Sequence, residues 1–235
     1  MRQPDPDGRL GTTPPVPGRP TFSLGPFGFA GLFGLPAVLF ALITWQVAVG
    51  GPLARADERF SNAVVKPERI YGFLSDFGNS TVAVPVLVVV LVHVAWRARR
   101  AGVPRWWREP AIAAAAMAAV PAMVVPLKEL IARPGPPLMG PGTGFYPSGH
   151  TATAAIAYGA ATLLLLPWLS SRLMRRALVA ACVAVNLAVP FGLVRRGYHW
   201  PLDVAGSWCL CTMLLTGLAM FLGRGERTAR EPRPK

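Results

Sequence analysis

Six stretches of the chain stay apolar for long enough to cross a hydrocarbon core, which takes about 20 residues of helix. They cover about 27–49, 80–96, 110–131, 149–169, 177–194 and 201–222. In lipid no water competes for the backbone, so helices close their own hydrogen bonds even through the valine-rich second stretch; the third is rich in alanine and carries Pro121 and Pro126. Between the first two stretches, residues 52–79 mix Asp57, Glu58, Arg59, Glu68 and Arg69 with Phe60, Val64, Val65, Ile70, Tyr71 and Phe73. That mixture fits an interfacial helix or loop lying on the membrane surface. The pattern predicts an all-α polytopic membrane protein, a six-transmembrane-helix bundle over 26–222. A disordered Pro-rich tail is expected at 1–25 and a basic tail at 223–235. Ala54-Arg55-Ala56 resembles a cleavage site, but the apolar region before it is too long for a secretory signal, so the first helix is expected to be retained. His93, alone in the second stretch, reads as an interior or interfacial histidine.

Composition sharpens this picture. A chain that is 52% hydrophobic and 15% charged is too apolar for an ordinary soluble domain. Its net charge of +13 would point a soluble protein toward nucleic acid. Here the charges crowd the short links between apolar stretches, so they read as topology signals and attraction to anionic headgroups, with no nucleic acid as partner. Arg97, Arg99, Arg100, Arg105 and Arg108 stand beside Trp96, Trp106 and Trp107, and Arg172, Arg175 and Arg176 fill a second link. With both tails also basic, the bias places both termini in the cytoplasm of a cell-membrane protein, and the opposite helix ends on the outer side. Cys182, Cys209 and Cys211 all lie inside apolar stretches and read as small buried residues. No internal repeat argues for a transporter of duplicated halves.

The outer helix ends carry the chemistry. Ionisable groups near membrane depth are expensive and mark function. In Tyr146-Pro147-Ser148-Gly149-His150-Thr151, Ser148 stands at a helix N-cap position and Gly149 lets a ligand approach the backbone. The first amides of the helix are then free donors at a positive dipole end, a seat for phosphate. Lys128 and Arg133 lie upstream; Arg195, Arg196, His199 and Asp203 lie downstream. This surplus of positive charge suits phosphate better than a cation, and no set of residues has metal-ligand spacing, so no cofactor or metal is expected. Asp203, on the first turn of a helix that starts at Pro201, is placed to accept the Nδ1 proton of His199 and leave Nε2 free to attack. His199 is then the nucleophile and His150 the acid for the leaving oxygen. Lys128 and Arg133 would clamp the phosphate oxygens, with the Ser148 hydroxyl and Gly149 amide completing the cradle.

Residues 128–134, Pro147-Ser148-Gly149-His150 and Gly197-Tyr198-His199-Trp200-Pro201-Leu202-Asp203 resemble the three signatures of the type-2 phosphatidic acid phosphatase superfamily. The resemblance spans about residues 30–222. It implies a six-helix bundle and metal-independent hydrolysis of a phosphomonoester or diphosphate through a phosphohistidine. Two positions depart from the signatures: seven residues after Lys128 comes Gly135, with the Arg-Pro pair earlier at Arg133-Pro134, and six residues before His199 comes Leu193. Arg133, and Arg196 or Arg195, are expected to reach the phosphate from these shifted positions. The expected activity is hydrolysis of a lipid phosphate or diphosphate, such as a phosphatidate-like lipid, phosphatidylglycerol phosphate or a polyprenyl diphosphate. Alternatives are phosphotransfer through the same intermediate and non-catalytic lipid-phosphate binding or transport. The expected partners are the lipid substrate and the bilayer.

Overall fold

The computed structural model describes residues 28 and 30–230. The tail expected at 1–25 and the last five residues of the basic tail lie outside the described residues. A π-helical turn, Ala30–Gly34, leads into α1 (Leu35–Ala48), α2 (Pro52–Val64), α3 (Arg69–Asp76) and α4 (Ser80–Arg100). There follow α5 (Arg108–Ile131), a 3₁₀ turn at Pro137–Met139, α6 (Gly149–Leu165) with a 3₁₀ extension at Leu166–Trp168, α7 (Arg172–Arg196) and α8 (Pro201–Arg230). Among the described residues there is no strand, and 6 helical spans are long and apolar enough to cross a membrane. The expected all-α, six-span architecture is therefore the one observed.

The bundle is built around α6. This helix is mostly Ala, Gly and Thr on its packed faces, with Ala152, Ala154, Ile156, Ala157, Ala160 and Leu164 all buried. Small side chains let neighbouring backbones come close where lipid gives no hydrophobic drive to helix association. Four helices use that closeness: α4, α5, α7 and α8 all pack against α6. A Cβ on Gly159 would stand 2.7 Å from Leu215 Cδ1, so the α6–α8 contact depends on the missing side chain. The outer helices show the reverse pattern, with Val89 and Val92 on α4 and Leu173 and Leu187 on α7 turned outward, as a lipid-facing surface requires.

Local chemistry sets the helix ends. Asn79 Oδ1 accepts the Thr81 N–H at 3.2 Å to start α4, and Ser171 caps α7 through the Met174 N–H at 3.4 Å. α7 ends where Gly197 turns left-handed, at φ 79°, a conformation glycine takes without penalty. Arg195 and Arg196 therefore belong to the last turn of α7 and not to the link where the sequence pattern put them. α7 also begins earlier than the pattern, at Arg172, because the Ser171 cap brings its three arginines into the helix.

One end of the bundle gathers the C-terminal ends of α1, α5 and α7 and the N-terminal ends of α4, α6 and α8, with α2 and α3 lying there as short helices. α3 docks on α7 at Gly192, where a Cβ would be 2.6 Å from the Tyr71 carbonyl oxygen. α2 turns its polar stripe inward: Ala54, Asp57 and Ser61 are buried, whereas Leu53 and Phe60 are exposed. At the opposite end guanidinium groups lie over indole rings, Arg97 over Trp168, Arg99 over Trp106 and Arg100 over Trp96, at 5.0, 5.6 and 4.3 Å. Such a belt of Trp and Arg fits headgroup level.

Candidate active site

Asp203 is the centre of the polar cluster. It stands in the first turn of α8, wholly buried, and its two carboxylate oxygens are both spent on neighbours. Oδ2 lies 3.1 Å from His199 Nδ1 and accepts the Trp200 N–H at 3.1 Å. Oδ1 accepts from Arg133 Nη1 at 2.7 Å. His199 is thus held by its Nδ1 edge, with Phe145 edge-on to the imidazole at 5.8 Å between ring centroids. Nε2, on the far edge of the ring, takes no part in the Asp203 contact.

Arg133 sits outside the helices, after α5 ends at Ile131 and Ala132 caps it, and only 3% of its side chain is exposed. Its second terminal nitrogen, Nη2, donates to Asp57 Oδ2 at 2.8 Å and lies 3.6 Å from Glu58 Oε1. Burial works against the guanidinium charge, but Asp203 and Asp57 outweigh it and hold the group above its usual value. The structure therefore sets Arg133 among three carboxylates, Asp203, Asp57 and, further off, Glu58, where the sequence pattern expected a phosphate clamp. Asp57 in turn accepts the Leu202 N–H through Oδ1 at 3.0 Å, so a carboxylate from α2 binds the first turn of α8. Burial pushes the Asp57 carboxyl up, and Arg133 and the Leu202 N–H draw it back.

The second half of the site is the start of α6. Ser148 Oγ accepts the Thr151 N–H at 3.3 Å, the N-cap bond expected from the sequence. Ser148 itself is fully buried and tied to α8, its N–H on the Asp203 carbonyl at 3.0 Å and its carbonyl accepting from Ser207 Oγ at 2.8 Å. The N–H groups of Gly149 and His150, earlier in the turn, have no acceptor within the helix. Lys128, from the last turn of α5, reaches across this turn: its Cε lies 4.0 Å from where a Gly149 Cβ would be. Nζ donates to the Gly144 carbonyl at 2.6 Å, which uses one of its three protons. His150 is within electrostatic reach of both His199 and Lys128, and of Asp76 at the end of α3.

Of the nine candidates, His199, Asp203 and Arg133 form one bonded chain, and Ser148, Gly149, His150 and Lys128 surround the start of α6 beside it. Arg195 and Arg196 make their contacts elsewhere. Arg195 Nη2 donates to Tyr71 Oη at 3.1 Å, with its guanidinium over the Tyr71 ring. Arg196 donates to the Pro67 carbonyl and, through Nε, to Tyr198 Oη at 3.3 Å. Both thus join α7 to the segment before and within α3.

The family model described as PAP2 superfamily matches residues 109–226, half of the chain, and includes all nine candidates. The chain belongs to the PAP2 superfamily. Among solved structures, this PAP2 chain is similar to the crystal structure of the first transmembrane PAP2 type phosphatidylglycerolphosphate phosphatase from Bacillus subtilis. The TM-score is 0.63 at 23% sequence identity, over 85% of this chain and 98% of that one. Among curated proteins no sequence matches.

The PAP2 fold explains why the two departures from the signatures can stand. Gly135 packs against the Phe145 ring, where a Cβ would fall 2.5 Å from a ring carbon, so position 135 has no room for an arginine. Leu193 is 1% exposed in a core cluster with Ala154 and Val189, and its carbonyl accepts from Tyr198 N–H. Sequence reasoning missed Asp57 and Phe145. For Asp57 the signal was present: Ala54, Asp57 and Ser61 recur at helical spacing as a small and polar stripe, while Leu53 and Phe60 take the other side. Phe145 carried no signal, because its place against His199 depends on the course of the whole 132–148 loop.

Proposed function

We propose that this PAP2 protein is a membrane phosphatase that hydrolyses a lipid phosphate or diphosphate without a metal, through a phosphohistidine on His199. The observation that carries the reading is the buried His199–Asp203 contact of 3.1 Å, with His150 and Lys128 within reach. Asp203 holds the Nδ1 proton and so presents Nε2 with its lone pair outward. As Nε2 bonds to phosphorus, the bond to the leaving oxygen breaks and His150 gives that oxygen its proton. Water then attacks the phosphoimidazole, with His150 now taking the proton, and inorganic phosphate leaves. The negative oxygens in both transition states would lie between Lys128 and the free N–H groups of Gly149 and His150. Arg133 works differently in this reading: bonded to Asp203, it fixes the carboxylate that fixes His199.

The site lies at the end of the bundle away from the Arg and Trp belt, which supports an outward-facing active site with both termini cytoplasmic in the cell membrane. A headgroup there can meet the site while its tail stays in lipid. Phosphatidate-like lipids, phosphatidylglycerol phosphate and polyprenyl diphosphates all present the required group. The test is phosphate release by purified protein in detergent with EDTA present, across that panel. Turnover of at least one of these lipids, unchanged by the chelator, is expected; turnover abolished by EDTA contradicts the metal-free scheme. The same assay with an alcohol acceptor identifies transfer in place of hydrolysis.

A further inference from the structure

We propose that Asp57 is a positioning residue for His199, acting from outside the family-matched region through Arg133 and Asp203. The inference rests on the hydrolase reading for its kinetic consequence, but not for its geometry. Four side chains run in one line: Asp57 Oδ2 to Arg133 Nη2 at 2.8 Å, Arg133 Nη1 to Asp203 Oδ1 at 2.7 Å, and Asp203 Oδ2 to His199 Nδ1 at 3.1 Å. Asp57, Arg133 and Asp203 have side chains no more than 3% exposed, and His199 is 9% exposed. In such surroundings each charge depends on the next, because little water screens them. Asp57 also has a second grip on the same unit: Oδ1 accepts the Leu202 N–H at 3.0 Å, one residue before Asp203.

A simple staple between α2 and the 132–148 loop would need only the Asp57–Arg133 pair. Here the arginine is shared, and the sharing has an electrostatic result. With Asp57 neutralising Arg133, the Asp203 carboxylate keeps its charge for the imidazole. With Asp57 neutral, the whole guanidinium charge acts on Asp203 and opposes a proton on His199. The charged and titratable groups around the Asp203–His199 pair are Glu58 from α2, Arg133 and Tyr146 from the loop, Lys128 from α5 and His150 from α6. None of these replaces Asp57, since Glu58 stands 3.6 Å from Arg133 with 45% of its side chain exposed.

The test uses D57N and D57E in the full-length protein in detergent. D57N keeps the shape and an oxygen for the Leu202 N–H while removing the charge, and D57E restores the charge. Expected for D57N is a fall in kcat of about ten- to a hundredfold with KM within about twofold, since misplacement of a reacting group costs that much. The acid limb of its kcat/KM profile moves to lower pH, and D57E recovers most of the loss. In parallel, ¹⁵N-histidine NMR of both proteins follows the three imidazoles, with His199 assigned from H199A. The His199 resonances are expected to titrate at lower pH in D57N, with Nδ1 still the protonated nitrogen. A D57N protein with wild-type kcat, pH profile and His199 titration overturns the proposal, as does a loss confined to KM or to the yield of folded protein. A wild-type protein that turns over no lipid phosphate, yet shifts its His199 titration in D57N, sinks the hydrolase reading and leaves this one standing.

Discussion

In the proposed mechanism His199 attacks and His150 gives up a proton, and the surroundings of the two imidazoles differ accordingly. His199 has a carboxylate on Nδ1 at 3.1 Å, whereas His150 sits in the first turn of α6 within reach of cationic neighbours. The division of labour predicts a dependence on the leaving group. His150→Ala is expected to lose about 10²–10⁴-fold in kcat with an alkyl phosphate, the usual worth of a positioned acid. With an aryl phosphate, whose leaving oxygen needs no proton, most of that loss should disappear; equal losses on both would assign His150 to phosphate binding. The residues of this division were legible in the sequence, because each sits at the boundary of an apolar stretch. Asp57 was legible only as part of a polar stripe, since a carboxylate in a mixed segment looks solvated until the fold shows which side of α2 faces inward. The partners of Arg133 were hidden for the same reason.

Elements hold the site through a few contacts between helix ends, and Tyr146 makes one of these. Its hydroxyl pairs with Thr44 Oγ1 of α1 at 2.8 Å, and its ring lies on Gly206 of α8, where a Cβ would be 2.5 Å from Tyr146 Oη. Burial pushes this phenol up to about 12, from 10.0. The folded state keeps a proton that the unfolded chain releases between those values. Its contribution is therefore complete below pH 10 and is lost as the pH rises through about 12, about 2 to 3 kcal/mol in all. Thermal unfolding in detergent should show that loss over the window, and Tyr146→Phe should flatten it; an unchanged slope would mean the phenol is free to ionise. The elements themselves were largely readable as hydrophobic stretches bounded by Arg and Trp. Their ends were less so: the Ser171 cap decided that Arg172, Arg175 and Arg176 belong to α7, and the left-handed Gly197 decided the same for Arg195 and Arg196. Hydrophobicity alone does not register such caps.

At the scale of the whole molecule, the antiparallel course of the helices brings Lys128, His150 and Asp203 to one end from three different spans, with His199 on the link between α7 and α8. Six spans with both termini on one side predict that cysteines placed in the 97–108 link and at residue 140 label from opposite faces of sealed cells. An impermeant thiol reagent should reach position 140 in intact cells and the link only after permeabilisation; labelling of the link from outside would reverse the orientation. The six-span bundle could be read from the sequence, since length and apolarity leave few alternatives in lipid. The role of α2 could not, because it depends on which helix ends meet above the bilayer. The central claim is that His199 carries the phosphoryl group, and rapid quenching tests it most directly. Protein mixed with a ³²P-labelled lipid phosphate in EDTA and stopped within milliseconds should hold acid-labile, base-stable label on the peptide containing His199, and none in His199→Ala. Steady turnover with no label on that peptide, or turnover that survives His199→Ala, would contradict it.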